Sequence, residues 1–215
     1  MKPYIFMTTF VLYVFCCVIA KEEGLCAEKL INQTVAKDKQ GLLIEKEQKA
    51  QVIFYSRTGK TKTVAKTISE TLGCDMQEIK DLKDRSGIRG FISGMIDVRK
   101  KPITAISPKV VDLKDYDLLF IGSPIWGMKF APAITTFLNS TNFKGKKIVF
   151  FVTTSAHMKK TVFDEYSELI YTKGGEVIGN FFIKTIWKDS NEIKEEAKKI
   201  LAENLDKWIQ RLKKK

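Results

Sequence analysis

Leu118-Leu119-Phe120-Ile121-Gly122 and Ile148-Val149-Phe150-Phe151-Val152 are apolar at consecutive positions, not alternate ones. A strand built this way has no face for water, so its sheet must be covered on both sides, as central parallel strands are. Three further β-rich runs complete a set of five: Gln51 to Tyr55, Asp75 to Ile79 and Val177 to Lys184. Helical spacing intervenes. Val64, Ile68 and Leu72 recur every four residues, segments near 131–138 and 161–173 read as helices, and 191–214 gathers Ile193, Ala197, Ile200, Leu201, Leu205, Trp208, Ile209 and Leu212 on one face. Strands alternating with helices imply right-handed crossovers and a parallel sheet. Five strands in ~165 residues suit an α/β three-layer sandwich of order 2-1-3-4-5, where ligands sit beyond the carboxyl ends of the strands at the switch between the first and third. The loops after Tyr55, Gly122 and Val152 are therefore expected to converge on one site.

The domain so defined spans residues 50–215. Before it, Lys2 precedes an apolar run from Tyr4 to Ala20, broken by Thr8 and Thr9 and ended by Lys21-Glu22-Glu23. Residues 1–20 have the layout of a signal peptide with a small-residue cleavage site at Val18-Ile19-Ala20. At ~17 residues the run is also just long enough for a membrane anchor. Export or membrane association is expected, the cytoplasmic side included if the run is an anchor. Residues 21–49 are polar and charged and read as a tether. Of four cysteines, Cys16 and Cys17 lie in the apolar run, and Cys26 and Cys74 have no metal-ligand spacing. With His157 the single histidine, no metal site is expected. The net charge of +12 favours acidic partners or anionic surfaces. The basic residues are dispersed and form no nucleic-acid-binding module, so nucleic acid is not an expected partner.

Ser56-Arg57-Thr58-Gly59-Lys60-Thr61 joins the first strand to the first helix. Strand, tight turn and helix point backbone N–H groups and a helix N-terminus at an anion. Gly59-Lys60-Thr61 looks like the end of a nucleoside-triphosphate loop, G-x-x-x-x-G-K-[ST], but Phe54 stands where the first glycine must be. A phosphate cradle and an ordinary hydroxyl-capped helix start both remain open from this stretch alone. The loop after the third strand, Gly122 to Pro132, carries Trp126 between glycines and prolines, which suits stacking on a flat ring. The loop after the fourth, Thr153-Thr154-Ser155-Ala156-His157-Met158, has small hydroxyl residues suited to a polar heterocycle edge, and His157 is either a proton donor or a simple loop residue.

In this order the three loops resemble those of the flavodoxin family, which binds FMN, and the resemblance covers about residues 50–215. Ser56-Arg57-Thr58-Gly59-Lys60-Thr61 is similar to the family's [ST]-x-T-G-x-T signature, which implies that these residues surround the FMN phosphate. Ser123-Pro124-Ile125-Trp126-Gly127 resembles the [ST]-P-x-[WY]-x-G/A flavin loop, with Trp126 beside the isoalloxazine. Thr154, Ser155 and Ala156 resemble the T-[ST]-G segment on its pyrimidine side, with Ala156 where glycine is common. Lys83 to Met95, in an 83–101 insertion after the second strand, resembles a D-R-x-G-x-x-G-x-x-x-G segment of one prokaryotic branch. It reads as a helix with small residues for close packing, or as a short helix over the flavin face. The implied function is electron transfer through non-covalently bound FMN. An NAD(P)H-dependent quinone reductase and a flavin-free binding module are the alternatives. The carrier is preferred because no second dinucleotide motif is present. Flavodoxin carriers are usually acidic, so this basic chain implies different partners: an acidic or membrane-associated redox protein, or a membrane quinone.

Overall fold

The computed structural model describes residues 49–100, 103–156, 158–159 and 161–213. The expected signal peptide or anchor, the tether up to residue 48 and His157 lie outside the described residues. In chain order the elements are β1 (Ala50–Phe54), α1 (Lys60–Leu72), β2 (Asp75–Glu78), β3 (Lys80–Asp81), α2 (Gly87–Lys100), β4 (Ile106–Ser107), β5 (Leu118–Trp126), β6 (Lys129–Phe130), α3 (Pro132–Ser140), β7 (Lys147–Thr154), α4 (Val162–Thr172), β8 (Glu176–Lys184) and α5 (Ser190–Lys213). Parallel ladders join β2-β1-β5-β7-β8, which is the 2-1-3-4-5 order expected from the sequence.

The consecutive apolar residues of the central strands divide between two cores. Leu119, Ile121, Phe150 and Val152 join Ile134 and Phe137 of α3 and Tyr166 and Ile170 of α4 in one cluster. Phe120 turns the other way, with its ring edge-on to Trp208 of α5 at 6.0 Å. Phe181 of β8 stacks on that same indole at 5.8 Å. Close approach there depends on Gly179, where an added Cβ would lie 2.2 Å from Trp208 Nε1. The β7–β8 ladder shifts register next to it, between Ile148 and Val149.

Two features depart from the sequence reading, the length of the third strand and a small extra ladder. The third strand does not stop at Gly122. It continues to Trp126 and turns back into β6 through Gly127 and Met128, whose φ values of 55° and 66° are those of a two-residue type I′ turn. Pro124 is tolerated inside it because the hydrogen bond it makes there uses its carbonyl, which accepts the Ala131 N–H at 3.2 Å. The insertion is helical, as expected, and its helix runs for 14 residues. It is bracketed by a small antiparallel ladder, β3–β4, that the sequence did not announce. Among the described residues no helix is long and apolar enough to cross a membrane.

The Gly179–Trp208 contact yields a direct test. Gly179→Ala should push α5 off β8 and lower unfolding stability by about 1–3 kcal/mol, read from the urea midpoint at constant slope.

Candidate functional site

Because β1, β5 and β7 are adjacent and parallel, their carboxyl ends bring the three loops side by side. The first loop leaves β1 at Tyr55, whose N–H donates to the Gly122 carbonyl at 3.1 Å. Gly59 enters α1 with φ 85°, a left-handed conformation that costs a residue with a side chain about 1–2 kcal/mol. Its carbonyl accepts the Thr63 N–H at 2.9 Å, which starts the helix. Ser56 Oγ reaches back to accept the Lys62 N–H at 3.2 Å. Thr58 and Gly59 are exposed, and Ser56 and Arg57 half-buried, at the positive end of α1. The loop from Ser56 to Thr61 contains hydroxyls and cations and no carboxylate. This is the chemistry of an anion cradle.

Other residues singled out from the sequence lie beneath this surface and brace it. Thr61 is buried, and its hydroxyl shares a 2.7 Å hydrogen bond with the hydroxyl of Thr153 at the end of β7. Ser123 is fully buried. Its Oγ accepts the Ala131 N–H at 2.9 Å and donates to the Pro124 carbonyl at 2.9 Å, which closes the β5–β6 hairpin. Thr154 Oγ1 accepts the Ala156 N–H at 3.2 Å and so shapes the third loop. Ser155 and Ala156 are exposed at its tip. Pro124, Ile125 and Gly127 are half-buried along the hairpin. Lys60 turns away from its own loop. Its ammonium donates to the Thr185 carbonyl at 3.2 Å and to the Lys188 carbonyl, both in the β8–α5 connection.

Trp126 is 4% exposed. Its ring stands edge-on to Tyr55 at 5.9 Å. Gly94 of α2 presses on it so closely that an added Cβ would lie 2.6 Å from Cζ3. The indole is thus a wall held by the inserted helix and does not present an open platform. Burial, with Asp81 nearby, pushes the Tyr55 phenol up to about 12, so it stays neutral.

A buried ionic cluster, which sequence reasoning did not find, holds α2 in place. Arg85 donates from Nε to Asp81 Oδ2 at 2.9 Å, and from Nη1 to Ser93 Oγ at 3.1 Å and Asp97 Oδ2 at 2.6 Å. The Arg85 and Asp81 side chains are 3% and 2% exposed. Thr104 Oγ1 donates to Asp81 Oδ1 at 2.7 Å, and Lys83 joins Asp97 at 2.7 Å. Hydrogen bonds from Lys83 and Arg85 hold the Asp97 carboxyl below the usual carboxylate range. A cavity of about 390 Å³ lies between this cluster and the first loop, lined by Tyr55, Ser56, Arg57, Glu78, Lys80 and Arg85 among others. Among the described residues no group of His, Cys, Asp and Glu is placed to hold a metal ion.

Residues 49–189 match the family model described as Flavodoxin. No curated protein matches the chain in sequence. A flavoprotein of Bacteroides uniformis aligns at 23% identity and a TM-score of 0.58, over 71% of this chain and 99% of its own. A flavoprotein of Lactobacillus acidophilus in complex with FMN aligns at 24% identity and a TM-score of 0.55, over 69% of this chain and 97% of its own. An NADH:FMN oxidoreductase aligns at 14% identity and a TM-score of 0.50, over 78% of this chain and 92% of its own. At these identities the likeness is one of fold.

Arg85→Met should leave Asp81 buried and uncompensated and cost about 3–5 kcal/mol in denaturant unfolding. The pH dependence has a definite sign. The Asp97 carboxyl is depressed in the folded state, so its contribution is complete above the unfolded-state value and is lost as pH falls through the lower folded value. Stability measured from neutral pH downward should fall less steeply in Asp97→Asn than in the parent chain.

Proposed function

We propose that this chain, which belongs to the flavodoxin family, binds one FMN non-covalently at the three loops and serves as an electron carrier. The observation that carries this reading is the first loop. Gly59, at φ 85°, opens the N-terminus of α1 onto Ser56, Arg57 and Thr58 with no acid among them. A doubly charged phosphate fits that donor set. Bound FMN would supply one- and two-electron chemistry. The chain's own part is to hold and shield it. Ser56, Thr58 and the first N–H groups of α1 would grip the phosphate. The exposed Ser155–Ala156 backbone would meet the polar ring edge, and Trp126, buried against Gly94 and Tyr55, would brace the loops from behind.

The net charge of +12 supports an acidic redox protein, or a quinone at an anionic membrane, as the partner. The apolar run from Tyr4 to Ala20 supports a place at or across a membrane. The oxidoreductase among the structural neighbours supplies the second reading, an NAD(P)H-dependent quinone reductase. Oxidation of NAD(P)H by purified holoprotein with a quinone would select it over the carrier.

Titration with FMN, followed by flavin absorption and fluorescence, tests the central claim. Saturable binding of one equivalent is expected, and no binding defeats it. Gly59→Ala, which forces a side chain into the left-handed conformation, should weaken the affinity about ten-fold.

A further inference from the structure

Trp187 is 93% exposed, the most exposed large apolar side chain among the described residues. Its backbone φ is 63°, a region that bulky residues rarely occupy. Strain of this kind persists only where the surroundings enforce it, and it gathers at functional sites. The surroundings here are the candidate site itself. Lys60, from the first loop, donates to the Thr185 and Lys188 carbonyls on either side of Trp187. The Thr185 N–H donates to the Thr154 carbonyl, at the start of the third loop, at 2.8 Å. The Lys188 N–H closes back on the Thr185 carbonyl at 3.3 Å. The connection from β8 to α5 is therefore tied to two of the three loops, and it stands at the carboxyl edge of the sheet with them.

The aromatic side chains Tyr55 and Trp126, at the ends of β1 and β5, are 5% and 4% exposed and offer no open face to a planar ligand. Tyr171 is exposed, but it lies in the last turn of α4, ahead of β8 and at the opposite edge of the sheet. We propose that Trp187 is the stacking face for the planar ring of the ligand at the three loops. On the reading above, with which this inference stands, that ring is the isoalloxazine of FMN. Lys60 is then a positioning residue: it holds the Trp187 loop in place and leaves the phosphate to hydroxyls and backbone N–H groups.

The full-length chain carries three tryptophans, and Trp126 and Trp208 are 4% and 3% exposed, so water-exposed emission reports Trp187. Titration with FMN should quench that emission. Trp187→Ala should bind FMN about ten- to hundred-fold more weakly, the range for losing one stacked aromatic, and Trp187→Phe should recover most of the affinity. Inorganic phosphate should compete equally well in the parent chain and in Trp187→Ala, which isolates the ring from the cradle. Lys60→Met should weaken FMN binding in the parent chain and add little in the Trp187→Ala background. Undiminished binding by Trp187→Ala overturns the stacking assignment while FMN binding itself stands. A full additional loss in the double variant overturns the positioning role of Lys60. Emission that responds to phosphatidylglycerol vesicles but not to FMN assigns Trp187 to a lipid surface and overturns the proposal. Failure of the parent chain to bind FMN removes this inference and the FMN reading together.

Discussion

From Leu118 to Ser123 every residue of β5 is buried, and the rest of the molecule is arranged around that constraint. A strand without a solvent face needs a neighbour on each edge and a helical layer on each side. Its polar chemistry has to emerge at its end, where the chain leaves the sheet. The same holds for β7, buried from Ile148 to Thr154. The three loops meet at one edge because β1, β5 and β7 run parallel and side by side, and burial along the strands keeps polar chemistry to their ends.

That logic explains which residues at the edge line the site and which support it. Thr61, Thr153 and Ser123 carry hydroxyls in motif positions, yet all three are buried and bonded inward. Each satisfies a polar group that would otherwise be stranded at the rim of an apolar core. Ser56, Thr58, Ser155 and Ala156 are the ones that reach the surface. A loop motif thus mixes residues that touch a ligand with residues that hold the loop in shape. The spacing alone does not tell them apart.

The sheet was legible because its signal is local: runs of β-branched and aromatic residues, with helical periodicity between them. The strand order and the convergence of the loops followed from topology rules and needed no side-chain detail. What escaped were features set by contacts distant in the chain or by rare backbone states. Arg85 finds Asp81 four residues back, Asp97 twelve residues ahead and, through Asp81, Thr104, and no periodicity marks such a set. Met128 and Trp187 take left-handed φ values that favour glycine, so the residue types gave no hint of turns there. Lys60 sits in a phosphate-like motif, but its reach is decided by carbonyls 125 and 128 residues away.

The meeting of Gly94 with the Trp126 ring has a mechanical side. With no side chain on the helix at that point, backbone and indole touch without any compressible layer between them. Helix α2 cannot tilt further toward the sheet, because hard repulsion begins at once. The contact therefore sets the distance of closest approach between the inserted helix and the indole, and the Arg85 cluster fixes the same helix through Ser93 and Asp97.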